Sequence, residues 1–272
     1  MHALEMSDVS GRGKAGADRD DPVCAAALDL DQAERTCVAV PPFSTQRSGL
    51  TKEEAWSIAA ARDRLRAERG EVRTGYKLGW TSEAMRRALG IDEPNFGTLW
   101  AYMRVDGGIL DLRRLIHPKA EPEFAFLADA SLEGEGVTAL DVMRAGRWAV
   151  ALEVVDPRWT SYDFDWLDNT ADGSSAAAYA VGEFQRSLVA PRRLRLTMEA
   201  GDVSRQGAGE AAMGSPAEAV AYLVRQLHLH GTALQPGMVV LTGGITAPVD
   251  LAAGLIVRVS SPELGSCEMR CV

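Results

Sequence analysis

The chain has 272 residues, of which 46% are hydrophobic and 25% charged, and its formal net charge at pH 7 is -9. The composition is ordinary for a globular protein, and the length allows one sizeable core with a small appendage. The acidic balance argues against nucleic acid or an anionic membrane surface as a partner, and no apolar stretch approaches the ~20 residues of a membrane span.

The first 20 residues are rich in Gly, Asp, Arg and Lys and lack an apolar core. They predict a disordered leader rather than a secretory signal, so we expect a cytoplasmic protein. The four cysteines, at positions 24, 37, 267 and 271, include no Cys-x-x-Cys pair. Free thiols in a reducing compartment are the simplest interpretation, and a zinc site is not expected.

Helical patterns dominate residues 21–75, which we interpret as an N-terminal helical region. The stretch from Pro22 to Arg35 predicts a first helix. Thr51 and Glu54 have the spacing of a capping box, in which each side chain reaches a free backbone N–H. A second helix is therefore predicted to begin there and to run to about residue 69.

Strand patterns dominate residues 76–272, which we interpret as a catalytic β-rich domain. Helices are inserted without a regular strand–helix alternation, so we predict an α+β fold with a mixed or antiparallel sheet. A helix capped by Ser215 is one of the insertions. The predicted strands include residues 75–80, 100–105, 108–112, 176–182, 194–199, 236–242, 255–259 and 267–272.

Three glutamates form a candidate metal site. Glu121 and Glu123 lie two residues apart in a strand pattern, so both carboxylates are predicted to leave the same face, where they repel each other unless a cation or protons intervene. Glu153 is a single carboxylate in an apolar run, and buried acids are rarely unpaired. Three carboxylates suit Mg²⁺ or Mn²⁺. The alternative is an edge strand with salt bridges to Lys119 or Arg158.

Two further stretches permit both a structural and a functional interpretation. Lys77 lies in an apolar strand between Gly75 and Gly79. It is either a lysine whose ammonium reaches solvent or a cation held beside an anionic intermediate. The polar turn that contains Asp172 and Ser175 is either an ordinary Asx turn or a site that holds a carboxylate.

Five short stretches occur in an order that resembles the 2-keto-4-pentenoate hydratase and 4-oxalocrotonate decarboxylase family of the fumarylacetoacetate-hydrolase-like superfamily. Each stretch is weakly specific alone, and the five together are strongly specific. The resemblance extends from about Thr51 to Val272. The stretches are residues 75–82, 92–97, 116–123, 151–156 and 241–246.

The resemblance implies a mixed β-roll-like sheet core with inserted and flanking helices, of the fumarylacetoacetase C-terminal type. It implies that Glu121, Glu123 and Glu153 bind the metal and that Lys77 is the active-site lysine. Further candidates are Asp172 and Ser175 for catalysis. The candidates for substrate binding are Thr81, Asn95, Arg158, Thr242 and Thr246.

Within the family the chain is more similar to the decarboxylases. The implied reaction is loss of the distal carboxylate from a 2-oxo-3-enedioate through a metal-stabilised enolate, in the catabolism of aromatic compounds. Hydratases of the family usually carry Asp where this chain has Asn95, and decarboxylases need not. Two departures from the family pattern concern the site. The usual Gly-Asp after the Thr-Gly loop is here Gly254-Leu255, and the usual Asp-Asn-Ala-Ser is here Asp172-Gly-Ser-Ser. Ser174 and Ser175 are the candidates to replace the missing Asn amide.

Two alternatives to a decarboxylase stay open. The first is a hydratase of a 2-hydroxy-2,4-dienoate or a related carbon–carbon hydrolase. The second is a non-catalytic scaffold subunit that stabilises an active homologue. The expected partner is a small 2-oxo acid, and the resemblance also implies a homo-oligomer. A complex with a related hydratase is a further expectation.

Overall fold

The computed structural model describes residues 19–46, 49–186 and 189–272. The predicted disordered leader, residues 1–20, therefore lies almost entirely outside the described residues. No helix within these ranges is long and apolar enough to cross a membrane. The α-helices in them are α1 Pro22–Thr36, α2 Phe43–Gln46, α3 Lys52–Glu68, α4 Glu83–Leu89, α5 Ala139–Arg144, α6 Trp166–Ala171 and α7 Pro216–Leu229.

The strands form a seven-stranded and a five-stranded sheet. The larger sheet has the order β2-β1-β9-β4-β5-β6, with β10 beside β4, and the smaller has the order β3-β12-β11-β7-β8. Both are mixed, because β1 is parallel to β9 and β3 is parallel to β12, while the other pairs are antiparallel. The strands are β1 Arg73–Gly79, β2 Asn95–Trp100, β3 Ile109–Leu110, β4 Lys119–Ala128, β5 Gly146–Val155, β6 Ala176–Val181, β7 Arg195–Ala200, β8 Val203–Ala208, β9 Val239–Leu241, β10 Val249–Asp250, β11 Ile256–Ser261 and β12 Gly265–Cys271.

The helix boundaries follow from their capping residues. Asp21 accepts a hydrogen bond from the Val23 N–H at the start of α1, where Pro22 occupies the first helical position and loses no bond. The predicted capping box of α3 is present, with the Thr51 hydroxyl and the Glu54 carboxylate each bound to the other's backbone N–H. Both predicted helices are confirmed to within two residues.

Alternation along β4 and β5 divides the larger sheet into two chemically different faces. Phe124 and Val150 point into the main core, which is shared with the smaller sheet and α7. Ala125, Ala149 and Ala151 occupy the opposite face, where they belong to a second hydrophobic cluster that includes Trp100. The odd-numbered residues of β4 and β5, which include the three glutamates, belong to this second face.

The N-terminal helices have a hydrophobic core of their own. Leu30 of α1 and Ile58 of α3 are buried together with Trp159 and Ala171, which come from the β-rich part of the chain. The helices therefore pack over the segment that contains α6 and the turn after it. The division of the chain at residues 75 and 76 stays a prediction.

One predicted strand was wrong, and one helix was missed. A strand was predicted at residues 100–105, but β2 covers Asn95–Trp100 and a 3₁₀ turn follows. Residues 95–100 are in the strand because they pair with β1, and Gly97 within it packs directly on the Gly173 carbonyl, with no room for a Cβ atom. No helix was predicted at α6, although Asp165 and Asp168 form a capping box there.

The sheet order also decides between the two interpretations of the glutamate strand. β4 is an interior strand, paired with β5, β9 and β10. Lys119 pairs with Asp250 and Arg158 with Asp172. The salt-bridged edge strand is therefore excluded.

Candidate active site

The three glutamates come together on the second face of the larger sheet. Glu121 on β4 lies directly opposite Glu153 on β5, and Glu123 is the next residue of β4 on that face. One carboxylate oxygen from each lies within 4.8 Å of the others. Glu123 and Glu153 are fully buried and Glu121 is half-buried. The i, i+2 spacing thus produces the predicted cluster.

Burial makes this cluster electrostatically unfavourable without a cation. Desolvation raises the pKa of Glu121 to about 7; the Lys77 ammonium opposes that rise and the Glu153 carboxylate adds to it. Desolvation, and then repulsion from Glu153, raise the pKa of Glu123 well above its ordinary value. Any cation that enters the cluster removes this repulsion.

The carboxylate oxygens are also under-used by the protein. Glu123 Oε2 accepts a hydrogen bond of 2.7 Å from the Gly243 N–H. Within the described residues, Glu123 Oε1 and Glu153 Oε2 have no hydrogen-bond partner, and the one partner of Glu153 Oε1 is the Lys77 ammonium, in an ion pair. Buried acceptors normally have partners, so their absence indicates a place for a ligand. All-oxygen donors at this separation fit a hard divalent ion such as Mg²⁺ or Mn²⁺.

Lys77 lies beside the glutamates and not at the surface. Its Nζ atom is 3.1 Å from Glu153 Oε1, and it donates to the Ser174 carbonyl at 2.9 Å and to Ser174 Oγ at 3.2 Å. Burial lowers the pKa of Lys77, but the three carboxylates, with Glu153 first, raise it above its ordinary value. The side chain is 2% exposed, which excludes the solvent-reaching alternative.

A polar network forms the wall behind Lys77. Asn95 donates from Nδ2 to Asn169 Oδ1 at 2.9 Å and to Thr170 Oγ1 at 3.0 Å, and its Oδ1 accepts from Ser174 Oγ at 2.9 Å. The Ser175 hydroxyl accepts from Asn169 Nδ2 at 2.9 Å and does not contact Lys77. The side chains of Asn95 and Ser175 are therefore hydrogen-bonded within this wall and do not present free groups to a ligand.

The loop after β9 closes another side of the cluster. The Thr242 hydroxyl donates to the Phe124 carbonyl at 3.0 Å, so it fixes the loop. Gly243 then donates to Glu123 and packs on Thr81, while Gly244 lies against the Glu121 carboxylate. Thr246, in the same loop, donates to the Ala247 carbonyl at 3.2 Å.

Asp172 lies in a buried ion cluster. Its Oδ1 accepts from Arg158 Nε at 2.5 Å and from Arg62 Nη1 at 2.9 Å. Arg62 also binds Glu34 at 2.6 Å, and Glu34 pairs in addition with Arg66. Three arginines thus share two carboxylates, which joins α1 and α3 to the turn beside Lys77.

Two of the predicted functional residues lie in this ion cluster. Asp172 was predicted to be catalytic and Arg158 to bind substrate, but both side chains are buried and satisfied by each other. Arg158 uses its remaining donors on the Ala176 and Asp172 carbonyls. It also borders a cavity of about 900 Å³ whose lining includes Tyr102 and Arg104 and none of the three glutamates. These contacts tie Arg158 to the turn that contains Asp172.

We expect Asp172→Asn to lower the free energy of unfolding by about 3–5 kcal/mol, because it leaves the buried Arg158 without a carboxylate and the buried Arg62 with Glu34 alone. Chemical denaturation measures this loss. Asp111→Asn, which breaks the exposed pair with Arg113, is the matched control and should change stability little. Equal losses in the two variants would contradict a structural role for the buried cluster.

Sequence reasoning missed several residues of this region. Asn169 accepts from the Trp80 indole at 2.9 Å and links Asn95 to Ser175, but its helix was not predicted. Arg62 carries no local signal that separates it from the other arginines of α3. The capping pair Asp165 and Asp168 was the one available sign of α6.

Comparison with known proteins gives relatives over almost the whole chain. A 4-oxalocrotonate decarboxylase of Pseudomonas putida is 35% identical over 257 residues, which are 93% of this chain and 97% of the relative. A 2-keto-4-pentenoate hydratase of Burkholderia vietnamiensis is 32% identical over 252 residues, 91% of this chain and 96% of the relative. No family model matches the chain.

Solved structures agree with these relatives. The 4-oxalocrotonate decarboxylase of Pseudomonas putida G7, complexed with magnesium and adipate, superposes with a TM-score of 0.87 at 32% identity, over 93% of this chain and 98% of that one. Fumarylpyruvate hydrolase of Pseudomonas aeruginosa is 18% identical, covers 74% of this chain and 90% of that one, and has a TM-score of 0.58, so it bears on the fold alone. The predicted fumarylacetoacetase-like fold is confirmed.

Proposed function

The chain belongs to the family of the 4-oxalocrotonate decarboxylases and 2-keto-4-pentenoate hydratases, and on this basis we propose that it is a metal-dependent lyase that decarboxylates a 2-oxo-3-enedioate. The observation that carries the proposal is the cluster of three carboxylates with unpartnered buried oxygens beside a buried lysine. A cluster of this kind is costly to fold and has no structural task of its own.

Glu121, Glu123 and Glu153 would hold the metal. A bound Mg²⁺ or Mn²⁺ supplies a Lewis acid for the keto group of a 2-oxo acid. The Gly243 N–H keeps the Glu123 carboxylate in place by its 2.7 Å bond, and the opposed positions on β4 and β5 keep Glu121 facing Glu153. The donor set is therefore preorganised by the sheet.

Lys77 supplies fixed positive charge for the chemical step. The bond between the distal carboxylate and its neighbouring carbon breaks, and CO₂ leaves. The electron pair moves through the conjugated double bond to the 2-oxo oxygen, and a proton from solvent completes the product. A buried ammonium beside that oxygen stabilises the developing negative charge without reorganisation.

The remaining site predictions enter the proposal in different ways. Asn95, Ser175, Thr242, Asp172 and Arg158 are positioning groups, because hydrogen bonds and ion pairs within the protein engage their side chains. Thr81 and Thr246 stay predictions as substrate-binding residues. Thr81 packs against Gly243 of the loop that contacts Glu121 and Glu123, and Thr246 belongs to that loop.

A hydratase is the second candidate, supported by the hydratases among the relatives. Hydration of the distal carbon requires a base near that carbon. Asn95 is not a base, and both of its Nδ2 hydrogens are bound within the wall. A non-catalytic scaffold is the least supported alternative, because the three glutamates and the lysine are all in place.

The test is a spectrophotometric screen with Mg²⁺ and Mn²⁺, which compares 2-oxo-3-enedioates with 2-hydroxy-2,4-dienoates as substrates. We expect release of CO₂ from an enedioate, with product identification by mass. Turnover of dienoates alone would contradict the proposed decarboxylase and support the hydratase. Absence of turnover with both classes, in a protein that binds metal, would support the scaffold.

Metal binding should also stabilise the fold, because the ion binds only the folded arrangement and removes carboxylate repulsion. Stabilisation grows as RT ln(1 + [L]/Kd), which is about 2.7 kcal/mol at a hundredfold excess over Kd. We expect the melting temperature to rise with Mg²⁺ and to fall with EDTA. A melting temperature that responds to neither would count against the site.

Three further expectations stay predictions, the first two implied by the family resemblance and the third by the composition of the N-terminal residues. They are assembly into a homo-oligomer, a complex with a related hydratase and a cytoplasmic location. We propose the first of these as the most accessible to test, by light scattering of the purified protein with and without Mg²⁺. A monomer under both conditions would contradict it.

A further inference from the structure

The Lys77 ammonium has partners besides the glutamates, and they come from a single residue. The Ser174 carbonyl accepts at 2.9 Å and the Ser174 hydroxyl at 3.2 Å, while Glu153 Oε1 lies 3.1 Å away. Ser174 therefore accepts two of the three ammonium hydrogens, and Glu153 is the ion-pair partner of the same group. The two contacts with Ser174 do not involve a carboxylate that is also needed as a metal ligand.

The direction of the hydrogen bonds in the wall is determined by the Trp80 indole. An indole N–H only donates, so Asn169 must present its Oδ1 to Trp80, at 2.9 Å. Asn95 then donates its Nδ2 hydrogen to that same oxygen, which turns Asn95 Oδ1 toward Ser174. The Ser174 hydroxyl hydrogen must point to Asn95, and its lone pairs are left for Lys77.

The backbone is arranged to bring the Ser174 hydroxyl to this point. Ser174 and Ser175 have φ values of 56° and 57°, in the left-handed region that non-glycine residues seldom adopt. Such conformations persist where the surroundings enforce them, often at functional sites. Here the Ser174 N–H is held by the Asn169 carbonyl at 2.8 Å, and Asp172 is held by its arginines.

Gly79 on β1 leaves the space that the hydroxyl needs. A Cβ atom at this position would lie 2.2 Å from Ser174 Oγ and 2.4 Å from Asn95 Oδ1. Both distances are far below contact, so any larger residue would break the Ser174–Asn95 bond. The glycine is therefore explained by the same bond that orients the hydroxyl toward Lys77.

We infer that Ser174 is a positioning residue that orients the Lys77 ammonium through its hydroxyl, an inference that rests on the catalytic role proposed for Lys77. It specifies which serine of the turn has this task, because Ser175 Oγ binds Asn169 and not the lysine. Ser174 acts on the reaction through Lys77 and is not itself a group that touches the substrate.

A double-mutant cycle tests the inference. Ser174→Ala should lower kcat roughly tenfold with little change in KM, as expected for loss of one hydrogen bond to a charged group. In a Lys77→Met background the same change should have no further effect on kcat, because the group it orients is gone. An equal fold-loss in both backgrounds would overturn the inference in favour of a purely structural role.

A second measurement needs no activity. The chain has four lysines, so labelling with ¹⁵N-lysine gives few ammonium signals, and the signal missing in Lys77→Met identifies Lys77. In the metal-free protein, Ser174→Ala should shift this signal and speed its hydrogen exchange, whereas Ser175→Ala should do neither. An unchanged signal in a folded Ser174→Ala protein would also overturn the inference. Failure of Lys77→Met to lower kcat would instead contradict the proposed function.

Discussion

Glu123→Gln is expected to abolish divalent-ion binding and to lower kcat/KM by at least about 10³-fold. Glutamine keeps the size of the side chain and an oxygen for the Gly243 N–H, but it removes the charge that a hard cation requires. Loss of an outer-shell partner of a metal ligand already costs about 10–100-fold in affinity, so loss of a ligand should cost more. Calorimetric titration with Mg²⁺ and steady-state kinetics measure the two effects.

The unfolding of the metal-free variant provides an independent check. Burial and repulsion from Glu153 make the Glu123 carboxylate unfavourable in the folded state, so its neutralisation should not destabilise the metal-free protein. The stabilisation by Mg²⁺ should disappear at the same time. Glu135→Gln, the same change at an exposed position, is the control and should preserve both binding and activity. Unchanged Mg²⁺ affinity in Glu123→Gln would refute the metal site.

The parts of this site that depend on local periodicity were predictable from the sequence. Side chains two residues apart on a strand point to the same face of the sheet, and this alone places Glu121 beside Glu123. The position of Glu153 across from Glu121 depends on the pairing of β4 with β5. No local pattern specifies that register. The order of the five motifs, through the family resemblance, was what grouped Glu153 with the other two glutamates. The capping box gave the start of α3 for the same local reason.

Charges whose partners are distant in sequence could not be interpreted from local patterns. The family resemblance implied functional roles for Asp172 and Arg158. Their meaning depends on Arg62, which is 110 residues before Asp172 and comes from α3. A buried structural charge and a catalytic charge look the same in a sequence. Only the fold shows whether such a charge is paired with another protein group or is left to bind a ligand. The same holds for Asn169, whose side-chain partners are Trp80 just after β1, Asn95 at the start of β2, and Ser175 in the turn after α6.

Lys77→Met is expected to lower kcat by roughly 10²–10³-fold, the range for loss of one preorganised donor to a developing negative charge. Methionine keeps the length of the side chain and removes the ammonium. If the contact forms only in the transition state, kcat and kcat/KM should fall together; if the ammonium binds a substrate carboxylate, KM should rise instead. Steady-state kinetics with saturating Mg²⁺ separates the two.

The thermal stability of the same variant depends on the cation. Lys77 is the positive charge in contact with Glu153, and its removal leaves three carboxylates to repel one another. We therefore expect the metal-free melting temperature to fall and the rise caused by Mg²⁺ to exceed that of the unmodified protein. Lys52→Met removes an exposed lysine paired with Glu93 and should change neither quantity. Near-normal kinetics in a folded, metal-loaded Lys77→Met protein would show that this ammonium balances charge in the cluster and takes no part in the reaction.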